Sequence, residues 1–366
     1  MRILAGAVAL VVGLAVAAGA DRRADAGAAV AAACAARGPT PPGAPLAAAE
    51  RAAVPLAFRG IIVVSVASRD RLTILDLATG RQRSVPSGID EPHELTVSPD
   101  GRWAVAADFG DHLGDYAFDG TELGVYELPS GRLARRIDLG RYRGPHDLVF
   151  TSPTRVAVTT QTSRHVVEVD VETGRILGAV ETRAKGSHTL AVTADGRLAF
   201  TANEPEGSLS RLDLAGRRFL AKHVVGRGGM EGIAATPDGA EVWMGSTEMG
   251  AVVVVDGRSG TALDTLRGFA APQRLAMGGD GRWVAITDFR CEVVQVADAR
   301  TRRVVGPIAG LEGAGVAKVL PDGRTAVVLL LDERVVAMVD LSTRRVVARH
   351  ELGGARPDAA AWGPAR

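Results

Sequence analysis

Residues 92–101 read Pro-His-Glu-Leu-Thr-Val-Ser-Pro-Asp-Gly, a short strand of mixed polarity that ends in a tight turn. The Asp-Gly pair permits the positive φ angles of a hairpin turn, and the apolar run at residues 103–107 supplies the next strand. We call this stretch the marker. Drifted copies of it recur at Pro145, Ser187, Met230, Pro272 and Gly315. The recurrence indicates a repeat protein built from β-hairpins.

A second repeated pattern, an acid followed by a turn, lies in phase with the marker. Its typical form is the Asp-x-x-Thr-Gly of residues 170–174, which follows a Val-rich segment. The seven acids are Asp76, Glu127, Asp170, Asp213, Asp256, Asp298 and Asp340. Successive acids are 51, 43, 43, 43, 42 and 42 residues apart, so the chain contains seven repeats of similar length.

Each repeat predicts four short strands, A to D. Strand A holds the marker, strand B is the apolar run after it, strand C is the Val-rich segment, and the acid turn leads to strand D. Continuous apolar runs are typical of strands buried on both faces, so the sheets must stack around an axis. We therefore predict an all-β, seven-bladed β-propeller with four-stranded blades.

The two ends of the repeat region predict how the ring closes. The first copy, residues 61–86, has strands B, C and D but no marker, whereas residues 356–364 form a lone strand A. A C-terminal strand that completes the first blade would remove the exposed edges of an open array.

The N-terminal region predicts export. Residues 1–20 combine a positive start at Arg2, an apolar run and an Ala-Gly-Ala cleavage site, which is typical of a signal peptide. An uncleaved anchor is the alternative. Residues 21–57 are rich in Ala and Pro and read as a tether, and residues 58–366 form the propeller. We expect a periplasmic or secreted protein without a membrane span after cleavage.

The charge balance limits the class of partner. The chain has 43 Lys and Arg and 42 Asp and Glu, and the arginines are scattered. A near-neutral chain gives no indication of nucleic-acid binding. The oligomeric state is left open.

The marker, together with a Val-x-Val-Asp-x-x-Thr-Gly blade ending, resembles the YVTN-type propeller repeat of the exported YncE-like proteins. The resemblance covers roughly residues 58–366, and residues 201–204, Thr-Ala-Asn-Glu, are the nearest copy of the eponymous strand ending. It implies a seven-bladed propeller in a periplasmic or secreted setting. Relatives of similar architecture include lactonases, streptogramin lyases and non-catalytic binding modules, so the resemblance implies no single reaction.

The residue at the start of each strand A is predicted to lie at the rim of the central channel. These rim positions are His93, His146, His188, Glu231, Gln273, Gly315 and Asp358. Three imidazoles in consecutive blades, followed by a carboxylate, are typical ligands of zinc or copper. The alternative is structural, because a histidine at this point of the repeat can simply hydrogen-bond loop backbone.

The long first spacing comes from an insertion at residues 108–122, in the B–C loop of blade two on the rim face. Asp108, Asp111 and Asp115, with Asp119, could bind Ca²⁺, or with His112 they could contribute to the central site. The stretch lacks EF-hand spacing, and a solvated acidic loop is the alternative.

Two cysteines raise a further question. Cys291 lies in the B–C loop of blade six, and Cys34 lies in the tether. A disulfide between them, two free thiols, and removal of Cys34 by processing are all compatible with the sequence.

Three functional hypotheses follow. The preferred one is a binding or scaffold protein whose rim face receives a small molecule, a divalent metal (Zn, Cu or Ca) or a protein. The second is a metal-dependent hydrolase or lyase of the lactonase or streptogramin-lyase type, with Glu231 or a histidine as base. A module for envelope assembly is a third class. No Gly-x-Ser-x-Gly elbow or His-Glu-x-x-His motif is present.

Overall fold

The computed structural model describes Cys34, residues 60–354 and residues 356–365. The predicted signal peptide and nearly all of the predicted tether lie outside these residues, so both stay predictions. The described part contains seven four-stranded antiparallel sheets and one two-stranded hairpin. The predicted all-β, seven-bladed propeller is confirmed.

The strand bounds follow the repeat. Blade one contains β1 (Gly60–Val66), β2 (Arg71–Asp76) and β3 (Gln82–Pro86), with a short 3₁₀ turn at Ala67–Arg69. Blade two contains β4 (Pro92–Val97), β5 (Trp103–Asp108), the hairpin strands β6 (His112–Gly114) and β7 (Ala117–Phe118), β8 (Glu122–Glu127) and β9 (Arg132–Asp138). Blade three contains β10 (Pro145–Phe150), β11 (Arg155–Thr160), β12 (His165–Asp170) and β13 (Ile176–Glu181). Blade four contains β14 (Ser187–Val192), β15 (Leu198–Asn203), β16 (Ser208–Asp213) and β17 (Arg218–Val224).

The remaining blades repeat this order. Blade five contains β18 (Met230–Ala235), β19 (Glu241–Ser246), β20 (Ala251–Asp256) and β21 (Ala262–Arg267). Blade six contains β22 (Pro272–Met277), β23 (Trp283–Asp288), β24 (Val293–Asp298) and β25 (Arg303–Pro307). Blade seven contains β26 (Ala314–Val319), β27 (Thr325–Leu330), β28 (Val335–Asp340) and β29 (Arg345–Glu351), and β30 (Ala360–Pro364) follows.

The ring closes as the sequence predicts. Strand β30 pairs antiparallel with β1, with Ile62 opposite Trp362, and so supplies strand A of blade one. Both ends of the repeat region therefore share one sheet, which leaves no open end in the ring.

The apolar core lies between neighbouring blades. Strand C of blade five, β20, is buried along Ala251–Val255, because its valines face blades on both sides. In one cluster, Phe200 of blade four packs with Val253 and Val255 of blade five and is fully buried. Burying such a side chain contributes about 2–3 kcal/mol, so the stacking of the blades stabilises the ring.

The structure shows what the repeated acids do in the turns between strands C and D. Asp256 Oδ1 accepts hydrogen bonds from the backbone N–H groups of Arg258 and Ser259, and Gly260 closes the turn at φ 69°. Asp340 accepts from Ser342 and Thr343 in the same way. An acid at this position therefore satisfies backbone donors that the turn would leave unpaired.

Two further findings concern the cysteines and possible membrane spans. Cys34 and Cys291 form a disulfide, which decides between the possibilities that the sequence left open. Among the described residues, no helix is long and apolar enough to cross a membrane.

Candidate functional site at the channel mouth

A β-bulge at the marker shapes the channel mouth in blades two to seven. In blade two, Pro92 pairs with Asp108 and Leu95 pairs with Ala106, so His93 and Glu94 together stand opposite a single residue. A bulge interrupts the alternation of side chains along a strand and re-aims them. Both consecutive residues therefore contribute to the same site.

The structure brings the three rim histidines together. The ring centroids of His93 and His146 are 5.0 Å apart, and those of His146 and His188 are 4.1 Å apart in a stacked arrangement. Nδ1 of His146 lies 3.1 Å from the carbonyl oxygen of His188, and Nδ1 of His188 lies 3.2 Å from the carbonyl oxygen of Glu231. A carbonyl only accepts, so each Nδ1 carries the proton and each Nε2 keeps its lone pair.

These contacts reconcile the two interpretations of the histidines. Each of His146 and His188 bonds backbone through one ring nitrogen, as the structural interpretation requires, and keeps the other nitrogen for a ligand. Burial, helped by neighbouring histidines, holds the pKa of His146 well below its usual value, and burial together with Arg274 lowers that of His188 to about 3. Both imidazoles are therefore neutral at physiological pH, the state that binds a metal.

Glu94 is a site residue that the rim pattern missed. Its side chain is 3% exposed, and its Oε1 lies 3.3 Å from Nη2 of Arg274. Its Oε2 has no hydrogen-bond partner within the described part of the chain. Burial alone would raise the pKa of Glu94, but the charges of Lys318 and Arg274 outweigh burial and lower it to about 2. Glu94 is therefore an ionised carboxylate with one free oxygen.

One group of potential ligands stands out within the described part of the chain. Ligand atoms of His93, Glu94 and His146 all lie within 4.8 Å of one another. His188 and Glu231, which the sequence also proposed as ligands, are outside this group. An acid directly after a rim histidine was the available signal for Glu94.

The other rim positions surround the site without joining that group. Glu231 accepts hydrogen bonds from Gln273 Nε2 at 2.6 Å and from Thr247 Oγ1 at 3.2 Å. Asp358 Oδ2 lies 3.9 Å from His93 Nδ1. The polar rim thus continues around the mouth as a network of side chains.

The insertion of blade two forms an aromatic wall. Its chain leaves and returns through Gly110 and Gly120, where a Cβ on Gly110 would lie 2.2 Å from the Gly120 nitrogen. The rings of Phe109 and Phe118 stack at 3.7 Å, and Phe109 also stacks on His93 at 5.1 Å. The insertion therefore leans over the histidines.

The acidic residues of the insertion lie at two separate places, with Asp119 beside Asp108 and Asp111. Asp108 and Asp111 line an acidic groove between blades one and two, Asp115 pairs with Lys185 at 3.4 Å, and His112 lines the channel mouth. Burial, reinforced by Asp90 and other nearby acids, raises the pKa of Asp108 to about 6. The structure does not bring the four residues proposed as a weaker metal set into one ligand group.

A cavity of about 340 Å³ opens at the mouth. Gln161 and Glu204, from the B–C loops of blades three and four, line it and were missed from sequence. The lining residues are His93, Phe109, His112, Tyr116, Phe118, His146, Gln161, His188, Glu204, Glu231, Gln273 and Arg274. The cavity thus has a histidine side at blades two to four and a carboxylate side at blades four and five.

Neither the protein-family models nor the curated proteins compared with the chain give a match. The YVTN-type family stays a resemblance in the repeat, whereas the seven-bladed fold is shown by the structure.

Proposed function

We propose that this propeller is an exported binding protein whose channel mouth holds a divalent transition-metal ion between His93, His146 and Glu94. The observation that carries the proposal is the convergence of two imidazoles and one carboxylate within 4.8 Å, together with the unpartnered Oε2 of Glu94. An ionised oxygen buried without a hydrogen bond is costly, and a cation would satisfy it.

The donor set favours zinc or copper over calcium. Calcium takes six to eight oxygen ligands, whereas two imidazoles and one carboxylate suit zinc or copper. The Nδ1–H of His146 donates to a backbone carbonyl, the outer contact that orients metal-binding histidines. The group is therefore suited to a transition metal at neutral pH.

The setting supports an exported protein. The disulfide between Cys34 and Cys291 fits an oxidising compartment, in agreement with the predicted signal peptide. We propose a periplasmic or secreted protein whose further partner at this face is a small molecule or a protein.

Metal analysis tests the proposal. Purified protein is stripped with chelator, loaded with Zn²⁺ or Cu²⁺, desalted and analysed for metal content. We expect one equivalent in the native protein and a loss of affinity of about 100-fold or more in His93→Ala and His146→Ala, because each removes a ligand.

The matched control is His223→Ala, since His223 lies on the outer strand β17 of blade four. It should bind metal as the native protein does. Circular dichroism establishes that each variant is folded. Absence of stoichiometric metal from the native protein, or full binding by folded His146→Ala, would overturn the proposal.

A metal-dependent hydrolase or lyase is the second candidate. Three protein ligands are typical of catalytic zinc, which keeps a position for water or substrate. Glu231 lines the same cavity as His93 and His146, and we propose it as the base. In this case Glu231→Gln should abolish turnover of a lactone panel while the metal content stays the same.

A further inference from the structure

The carboxylate side of the mouth cavity indicates which kind of molecule enters it. We propose that the cavity binds an organic cation, a primary ammonium or amidinium group, between Glu204, Glu231 and Gln161, with the aromatic insertion covering it. This inference deepens the proposed function and rests on it, because it names the ligand class of the same cavity.

Gln161 is the first observation. It lines the cavity and is 2% exposed, yet its side-chain oxygen Oε1 has no hydrogen-bond partner among the described residues. Buried amide oxygens are nearly always paired, so an unpaired one that borders a cavity indicates an incoming N–H donor.

The two glutamates are the second observation. Glu204 and Glu231 line the cavity together, and no described residue donates a hydrogen bond to the Glu204 carboxylate. Glu231 has two bonded oxygens, but each carboxylate oxygen can accept a further bond. An N–H cation would therefore find acceptors from two blades.

The local electrostatic field has the sign that attracts a cation. Burial, followed by the charge of Glu231, raises the pKa of Glu204 to about 7. The pKa of Tyr116 is raised by burial and then by Glu204, Glu248 and Glu231. Burial is the larger cause of both shifts, and the acids that add to it supply negative charge beneath the insertion, which a bound cation would neutralise.

The basic groups nearby are already engaged. Arg274 is the one arginine or lysine among the lining residues, and its guanidinium lies 3.3 Å from Glu94 and 3.8 Å from Glu231. Lys222 pairs with Glu206 at 2.9 Å. Glu204 thus forms no ion pair with any described residue, and the charge of Arg274 offsets only part of the rise in its pKa.

The aromatic wall supplies the remaining contact. Tyr116 and Phe118 line the cavity, and Phe118 is held by Thr162, whose hydroxyl accepts from the Phe118 N–H and donates to its carbonyl, both at 2.7 Å. Aromatic faces attract cations because the ring face carries partial negative charge. The wall therefore favours a cation that carries an apolar or flat body.

Calorimetric titration of the metal-loaded full chain tests this inference. The probes are benzylammonium and benzamidinium, compared with benzyl alcohol and benzoate at pH 8. We expect at least one cation to bind, with benzyl alcohol and benzoate about tenfold weaker or more, because only a cation satisfies both glutamates. Absence of binding by both cations, or equal binding of benzyl alcohol, would overturn the inference.

Variants of two glutamates test where the cation binds. Glu204→Gln should weaken cation binding about tenfold, whereas Glu206→Gln, a glutamate two residues away that is paired with Lys222, should leave it unchanged. Unaltered affinity in Glu204→Gln would contradict the assignment. The ionised fraction of Glu204 falls about tenfold from pH 8 to pH 6, and the protonated form should bind about as weakly as Glu204→Gln, so binding to the native protein should weaken about fivefold. Glu204→Gln should lose this dependence.

The result is separable from the metal proposal. Glu204 is not among the proposed ligands, so folded Glu204→Gln should keep the native metal content. Metal binding without cation binding would refute only this inference, and cation binding without metal would refute only the metal site.

Discussion

The two faces of the ring use acidic side chains in opposite ways. On the face formed by the C–D turns, hydrogen bonds lower the pKa of the acids, from Arg218 to Asp213 and from Ser259 to Asp256. At the mouth, burial raises the pKa of Glu204 to about 7. The ionised form is thus favoured at these turns and disfavoured at Glu204, whereas Glu94 stays ionised at the mouth because Lys318 and Arg274 lie near it.

This difference separates folding from function. An acid whose pKa is lowered in the folded state stabilises it at neutral pH, whereas an acid whose pKa is raised destabilises it. The turn acids recur in every blade because each turn needs the same capping. The mouth residues differ from blade to blade. Burial of the Glu204 carboxylate lowers the stability of the folded state, and a bound ligand would offset this loss.

The largest expected effect tests the packing between neighbouring blades. Phe200→Ala removes a fully buried ring between blades four and five, which should lower the free energy of unfolding by about 3–5 kcal/mol. Urea denaturation followed by tryptophan fluorescence measures the change.

Metal content should stay native in folded Phe200→Ala, because the ring is not part of the mouth cavity. Loss of metal from the folded variant would show that metal binding at the mouth depends on the packing between blades.

The seven-bladed fold was predictable from the sequence because every blade repeats the same pattern of strands and turns. The spacing of the acids placed all seven blades, and the unpaired first and last segments predicted the closure by β30. The start of each strand A also placed the three rim histidines at the channel, since in-phase positions of neighbouring blades lie side by side.

The details of the mouth were not predictable for a physical reason. The bulge in β4 brings Glu94 next to His93, and an alternating strand pattern would place the two side chains on opposite faces. Glu204 and Gln161 lie in loops whose paths depend on neighbouring blades. Whether Cys34 and Cys291 pair was likewise left open, because the distance between them does not follow from the repeat.

An effect of intermediate size tests whether the Glu204 carboxylate lowers the stability of the folded protein. The pKa of Glu204 rises from 4.5 to about 7 on folding, so the folded state is penalised as the pH rises through this interval. Glu204→Gln removes the charge and should increase stability at pH 8 by about 1–2 kcal/mol, with a reduction made for partial exposure. At pH 4.5 the gain should be small. Urea denaturation at both pH values measures it.

Glu206→Gln is the matched comparison. Burial would raise the pKa of Glu206, but hydrogen bonds from the Lys185 backbone and from Lys222 outweigh burial and lower it. This variant should therefore be slightly less stable than the native protein at pH 8. A loss of stability in Glu204→Gln at pH 8 would contradict the proposed cost.

The smallest effect tests a single turn. Burial would raise the pKa of Asp340, but hydrogen bonds from Arg324, Ser342 and Thr343 outweigh it and hold the pKa well below its usual range. Asp340→Asn keeps an acceptor oxygen and loses the charge, so it should cost about 0.5 kcal/mol at pH 7, because solvent screens the pair with the exposed Arg324. Because the native pKa is lowered, this contribution is present above the unfolded value of 3.8 and disappears as the pH falls below it. Stability differences measured from pH 7 to pH 3 should therefore shrink towards acid, and a difference that grows towards acid would reverse the assignment of Asp340 to the stabilising face.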